Sequence, residues 1–407
     1  MSKTMKNIPK LRFLEFQDDG EWEEKTIDEV CEINPSVKDL PKNFVYIDLE
    51  SVEAGILLQK KIIDLENAPS RAQRLLKNGD VIFQMVRPYQ KNNYLFDIED
   101  KQNYVASTGY AQLRAYQSNT YLFHYLHTDS FVNQVLTKCT GSNYPAINSN
   151  DLSEIRISIP KPEEQQKIAD SLCSVDELIT AQSAKVEALK AHKKALMQQL
   201  FPAEGETTPR LRFPEFKNAH EWEAKSLDLV VDYENGKAHE NDILENGKYI
   251  VVNSKFISTE GETIKYTNSA FCLADKNDIL MVLSDVPNGR AIAKCYFVEA
   301  DNLYTVNQRI CKLTTKIAIS KFVFYIIDRN KYFLAFDDGV KQTNFRKEDV
   351  LNCPIMIPSN TKEQQKIAKC LSSLDALISA QSSKVEALKQ HKKALMQQLF
   401  PTCKVTS

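Results

Sequence analysis

The chain has 407 residues, 43% of them hydrophobic and 26% charged, with a formal net charge of −2. That length suffices for two or three domains, each able to bury a core. No run of 18 or more apolar residues occurs, which excludes a helical membrane span, and the basic start from Met1 to Lys10 has no apolar stretch behind it, so no secretory signal is expected. The near-neutral charge excludes a protein coated in DNA-binding cations, but local basic patches suffice for such binding. Nine cysteines (Cys31, Cys139, Cys173, Cys272, Cys295, Cys311, Cys353, Cys370 and Cys403) are scattered without a C-x-x-C. Their odd number argues against a disulfide framework and for reduced, packed thiols in a cytoplasmic protein.

In chain order, P-K-L-R-F-L-E-F at Pro9 to Phe16 and E-W-E at Glu21 to Glu23 come first, and both return 200 residues later at Pro209 to Phe216 and Glu221 to Glu223. A body from Lys25 to about Ile159 follows. Phe44 to Asp48 and Asp80 to Gln84 read as strands, and Tyr121 to Leu136 as an aromatic-rich helix. Glu164 to Pro202 then matches Glu363 to Pro401, with 31 of 39 positions identical. The second body, Lys225 to about Ile357, holds expected strands at Tyr249 to Val252 and Asp278 to Leu283, and an expected helix at Ser320 to Phe336. The bodies align at landmarks such as Asn78 with Lys276 and Gly141 with Gly339, and share little else. Two units with divergent bodies point to a pseudo-twofold molecule of α+β class, since three or more repeats would be needed for a solenoid.

The copied tails read as long helices. They contain no glycine, begin near Pro160 to Glu164 with acids suited to the helix dipole, and end at Leu-Phe-Pro. Apolar positions recur on a 4-3 spacing: Ile168, Leu172, Val175, Ile179, Gln182, Val186, Leu189, Lys193, Leu196 and Leu200. The second tail repeats it from Ile367 to Leu399, with Gln381 and Lys392 as the polar members. That is a coiled-coil seam, on a rod of about 57 Å. Pairing of the two rods buries the seam; the alternative is that each rod lies on its own body's core.

This order of motifs, an opening L-R-F-P-E-F and E-W, a variable body with G-D-V-I-F, an I-x-I-P exit, then E-E-Q-Q-K-I-A and a long helix, resembles the specificity subunits of type I restriction–modification systems across almost the whole chain. The resemblance implies target-recognition domains at 1–160 and 203–358, long helices at 161–202 and 359–401, and a short tail at 402–407. It also implies that the helices pair antiparallel and set the gap between two half-sites of double-stranded DNA. They would dock two methyltransferase (modification) subunits, with restriction subunits joining. S-adenosylmethionine, ATP and Mg would then reside on partner subunits, with no cofactor on this chain.

Catalytic motifs are missing. A glycine-rich cofactor turn, an N/D-P-P-Y/F motif and a G-x-x-x-x-G-K-S/T loop are all absent, and Ser142 to Pro145 and Ile33 to Ser36 only imitate the second. His124 and His127 have a metal-compatible spacing without a joining cysteine or carboxylate pattern, so they, His192 and His391 read as ordinary helix residues. For DNA contact the first choice is 71–91, with Arg71, Arg74, Lys77, Arg87 and Lys91 against the single acid Asp80. Tyr89, Gln84, Gln90, Asn92 and Asn93 add groups suited to phosphates and base edges. S-R-A-x-R and V-R-P-Y in this stretch also belong to the resemblance. The second choice is 141–148, with Asn143, Tyr144 and Asn148, and its counterpart 339–347, with Lys341, Gln342, Asn344, Arg346 and Lys347. In the second body Lys237, His239, Asn253, Lys255, Arg290, Asn307, Gln308 and Arg309 are candidates by chemistry alone. Three other readings stay open. One is a coiled-coil scaffold with protein-binding ends. Another is a single-chain nuclease or methyltransferase, disfavoured by the missing motifs. The last is a specificity subunit of a modification-only system.

Overall fold

A computed structural model describes residues 7–401; Cys403 and the tail expected at 402–407 lie outside the described residues. The chain forms two compact units, one from the first 184 residues together with those after 381, the other from residues 185–381. Each unit thus takes the first part of one long helix and the last part of the other.

In the first unit, Glu23–Thr26 pairs antiparallel with Arg156–Ile159, so the body's entry and exit are zipped together where the long helix begins. One four-stranded sheet orders Lys61–Asp64, Asn43–Ile47, Tyr104–Ser107 and Ala72–Leu75; another orders Cys31–Ile33, Tyr110–Ala115, Val81–Gln84 and Tyr94–Leu95. All four residues of Val81–Gln84 are buried, which is why Val81 to Phe83 read as a continuous apolar run rather than an alternation. The second unit repeats the plan. Glu223–Ser226 closes on Pro354–Ile357. One sheet orders Val231–Asn235, Ile310–Thr315, Ile279–Val282 and Cys295–Phe297, the other Tyr266–Thr267, Tyr249–Val252, Tyr304–Val306 and Leu273–Ala274. Among the described residues five cysteines, Cys31, Cys272, Cys295, Cys311 and Cys353, are buried.

Two expected helices are each two. Asn119–Leu126 stops before Thr128, whose hydroxyl caps Asp129–Lys138 by accepting from Phe131 N–H. Ser320–Ile327 is separated from Lys331–Leu334 by Arg329, at φ 53°, and by the cap Asn330. Aromatic periodicity carried across both breaks, and the local capping groups interrupt it.

The long helices are Pro162–Leu200 and Thr361–Leu399, 39 residues each. Both arrangements considered for their seam occur within one unit. Ile168, Ala169 and Leu172 enter the first body's core, and Leu399 and Phe400, from the end of the other helix, enter the same core. Further along, Lys392 Nζ lies 2.7 Å from an Asp176 carboxylate oxygen, so the two helices run antiparallel. The second unit matches: Ile367, Ala368, Leu371 and Leu200 share its core, and Lys193 meets Asp375 at 2.5 Å. The lysines in the seam are therefore ion-paired members of it. Glu164, expected to serve the helix dipole, is 1% exposed and holds Arg12 of the opening motif with two 2.8 Å bonds. Glu363 holds Arg212 in the same way at 2.7 and 2.8 Å. The repeated opening motif is thus latched onto the repeated helix start by a buried ion pair.

Candidate nucleic-acid interface

In the first body three segments meet beyond the strand Val81–Gln84. Met85 N–H donates to Gly109 O at 3.0 Å, Ile147 N–H donates to Met85 O at 3.1 Å, and Arg87 N–H donates to Pro145 O at 2.7 Å. The stretches chosen as 71–91 and 141–148 therefore adjoin. Arg71 belongs here too, its carbonyl accepting from Thr108 N–H at 2.8 Å. The Arg87 guanidinium lies 4.2 Å from the centre of the Tyr144 ring, and Tyr144 is 62% exposed. Such stacking orients a cation while leaving its N–H groups available to an acceptor. Arg87 and Lys91 flank the single turn Pro88–Gln90, both with left-handed backbones (φ 55° and 56°). That conformation costs a non-glycine residue about 1–2 kcal/mol, so other bonds must hold it.

Those bonds come from residues expected to face DNA. Gln84 is 2% exposed; its amide donates to Gln90 Oε1 at 2.8 Å, and its Oε1 accepts from Asn92 N–H at 3.1 Å. Asn93, 1% exposed, accepts from Gln84 N–H at 2.9 Å, and Asn92 Oδ1 accepts from Ala54 N–H at 3.1 Å. These amides shape the loop, and their side-chain oxygens are spoken for by backbone donors. Lys91 is engaged as well, 2.6 Å from Asp129 and donating to His127 O at 2.9 Å. Asn148 caps Ser149–Ser153 through Asp151 N–H at 2.8 Å. Arg74 is half-buried, with Nε lacking a hydrogen-bond partner among the described residues and its pKa lowered by desolvation. Asp80, counted as the acid opposing this patch, is buried and bound to Arg114 at 2.8 and 2.9 Å, so it does not oppose the exposed cations. Arg71, Lys77, Tyr89 and Asn143 are exposed.

The same junction recurs in the second body: Leu283 N–H donates to Arg309 O at 2.9 Å, and Phe345 N–H to Leu283 O at 2.8 Å. Ser284–Asp285 pairs with Thr343–Asn344, and Gln342 Nε2 donates to Ser284 Oγ at 2.7 Å. Arg290, Arg309, Lys341, Gln342 and Asn344 are thus exposed residues on adjoining segments. Lys237, also exposed, is linked by its N–H to Val306 O at 2.9 Å. Arg346 and Lys347 are exposed at the start of Lys347–Leu351, Arg346 with Nε 3.6 Å from Asp349 and Lys347 lying 5.7 Å from the Tyr233 ring. Lys255 is exposed on Ser254–Ser258, which Asn253 caps through Phe256 N–H. His239 leaves the candidate set: it is 1% exposed, with ring nitrogens 2.6 Å from Lys237 O and 3.0 Å from Thr305 Oγ1. Gln308 donates to Glu240 at 2.6 Å, and Asn307 Oδ1 accepts from Gln308 N–H at 2.8 Å.

One basic feature escaped the sequence. A cleft of about 870 Å³ in the first unit gathers Lys10, Lys91, Lys389, Lys392 and Lys393 with Asp129 and Asp176. Lys389, Lys392 and Lys393 share one helix, while Lys10 and Lys91 come from distant parts of the chain, so only the fold gathers all five. His124 is a core residue whose Nε2 lies 3.7 Å from Cys173 Sγ, and burial lowers its pKa to about 3. His192 and His391 are exposed on the long helices.

Residues 19–191 and 219–390 each match the family model described as the type I restriction modification DNA specificity domain. The type I restriction enzyme MjaVIII specificity subunit of Methanocaldococcus jannaschii is 27% identical over 281 residues, 64% of this chain and 64% of that protein. The HindI specificity subunit of Haemophilus influenzae is 26% identical over 165 residues, covering 39% of this chain and 36% of that one. The chain thus spans under two thirds of the length of either relative. The fold is similar to that of a type I restriction-modification S subunit from M. genitalium, with a TM-score of 0.61 and 15% identity over 98% of this chain and all of the other. It is also similar to a chain from a structural study of type I R-M complex assembly, with a TM-score of 0.56 and 22% identity over 93% of this chain and 97% of that one. Both body-plus-helix repeats carry the family match, and the chain belongs to the type I restriction modification DNA specificity family, with its domain present twice.

Proposed function

We propose that this chain is the DNA-reading subunit of a type I restriction–modification complex, each body recognising one half of a bipartite double-stranded target. One observation supports this above others: a shared backbone junction carries different side chains in the two bodies. The first sets Arg87 on Tyr144, and the second presents Asp285 and Gln342 at the equivalent positions. A constant scaffold with divergent polar groups suits two readers of two sequences. The chain contributes recognition and no catalysis. Its long helices set the gap between half-sites and dock two methyltransferase subunits, with restriction subunits joining. S-adenosylmethionine, ATP and Mg belong to those partners, and the assembly works in the cytoplasm. Exchanging residues 25–159 for the body of a related subunit tests the reading. Methylome sequencing should show one half of the target changed and the other kept; loss of both halves by a folded hybrid refutes it.

A further inference from the structure

Asp285 is an anomaly in a surface expected to meet phosphates. It takes the place that Arg87 has in the first body, paired with Thr343 of the segment that holds exposed Lys341 and Arg346, and five residues before exposed Arg290. A carboxylate there would repel DNA if its charge were open. Its oxygens are instead turned into the loop that follows. Oδ1 accepts from Val286 N–H at 2.9 Å, and Oδ2 accepts from Ala291 N–H at 2.6 Å and Ile292 N–H at 3.1 Å. Three amides converging on one anion make a nest that spreads its charge over the backbone. The loop closes on itself through Gly289 N–H to Val286 O at 2.9 Å, with Asn288 at φ 55°. Gly289 leaves room for the carboxylate: a Cβ there would lie 2.1 Å from Asp285 Oδ2 and displace it. The loop is also fastened outside itself, because Asn288 Nδ2 donates to Gly339 O at 3.2 Å and Arg329 donates to the Arg290 carbonyl at 2.9 Å. The residue held between these ties, with its side chain exposed, is Arg290.

We propose that Asp285 is a positioning residue for DNA recognition by the second body: its carboxylate, bound by three loop amides, fixes the loop that presents Arg290 to the second half-site. The first body uses Gln84 and a stacked Tyr144 for the corresponding task. The inference rests on the DNA-reading function proposed above.

The test uses the full chain, purified with the subunits that accompany it in its host, to select from a random pool of DNA duplexes that are then sequenced. The unaltered protein should retain duplexes with two blocks of preferred sequence. Arg290→Ala should weaken preference within one block by about tenfold. Asp285→Ala and Gly289→Ala should weaken the same block, leave the other unchanged and leave the melting temperature close to its starting value. Asp285→Asn keeps one oxygen for the Ala291 and Ile292 amides and should preserve most of the preference. Unchanged or strengthened selection by Asp285→Ala would overturn the proposal, making the acid a bystander or a simple repulsive charge. So would equal losses in the Asn and Ala variants, or losses that track a falling melting temperature. An unaltered protein with no sequence preference would instead remove the DNA-reading function, and this inference with it.

Discussion

Replacing Arg87 tests the first body's contact most directly. Its guanidinium stacks 4.2 Å from a Tyr144 ring that is 62% exposed, so the stack is worth the exposed-site value of about 0.5–1 kcal/mol. Tyr144→Ala should therefore weaken binding of the cognate duplex by about two- to fivefold, through a less well-placed Arg87. Arg87→Ala should do more. If the guanidinium meets a phosphate, the slope of log affinity against log salt should fall by about 0.9. If it bridges a guanine edge, one target position should relax at about 1–3 kcal/mol. The double variant should bind no worse than Arg87→Ala alone, because Tyr144 acts through Arg87. Arg87→Gly separates affinity from folding: it removes the cation but relieves the left-handed backbone at φ 55°. It should lose affinity like the alanine variant while melting no lower than that variant. Fluorescence anisotropy across salt concentrations, beside calorimetry, measures all four variants. Unchanged affinity of Arg87→Ala at every salt, or additive losses in the double variant, would refute the reasoning.

The buried ion pair should be costly to break: Glu164→Gln leaves Arg12, 7% exposed, without its carboxylate partner and with the Asp19 and Gly20 carbonyls as remaining acceptors, and should destabilise the first unit by up to about 3–5 kcal/mol. A calorimetric loss under about 1 kcal/mol would contradict that. His124, with its pKa lowered to about 3 by burial, binds its proton far less readily folded than unfolded. Its contribution is complete above the unfolded pKa near 6.5 and is lost as pH falls toward the folded value, by up to about 1.4 kcal/mol per pH unit. Denaturant titrations of His124→Leu between pH 7 and 5 should show that slope reduced. A matched heptad inserted in both long helices, away from Gln182 and Gln381, lengthens each by about 10.5 Å and keeps the 4-3 seam. Methylome sequencing should then show half-sites unchanged in sequence and moved apart by up to about three base pairs; methylation only at the original spacing would count against the helices as a ruler.

The repeats made the architecture legible, because two long helices and two bodies follow from offsets visible in the sequence alone. Charge counting was a poorer guide to the interface. By sequence Asp80 opposes the cations of 71–91, yet it is buried against Arg114, which lies outside that stretch. Gln84, Asn92 and Asn93 have the chemistry of base readers and spend it on loop backbone, which depends on which face of the chain turns inward. Arg87 and Tyr144 lie 57 residues apart, and the pairing of Met85 to Arg87 with Pro145 to Ile147 brings them together. Asp285 shows the converse: nothing in the sequence singles out this acid, and its place becomes intelligible once its three amide donors are seen.

Why the tails are copied almost unchanged while the bodies diverge has a physical answer in the cores. The first unit's core receives Ile168 and Leu172 from the helix that follows its own body, and Leu399 and Phe400 from the end of the other helix. The second core receives Ile367 and Leu371, and Leu200 from the helix that follows the first body. Every tail must therefore fit one body at its start and the other at its end, and equivalent positions in the two tails face equivalent demands. Loops at the backbone junction of each body answer only to that body, so they are free to differ. Chain order and core membership are consequently crossed, which makes a sharp prediction. Phe400, 4% exposed, has its ring 5.6 Å from Tyr121 and 5.4 Å from Tyr125. Phe400→Ala should destabilise the first unit by about 3–5 kcal/mol, and Leu200→Ala, at a residue 1% exposed, the second by about 2–5 kcal/mol. Hydrogen exchange read by mass spectrometry should place the new exchange of Phe400→Ala in Asn119–Lys138 and that of Leu200→Ala in Ser320–Leu334. If each substitution instead loosens the body that precedes it in sequence, the crossed assignment of the cores is wrong.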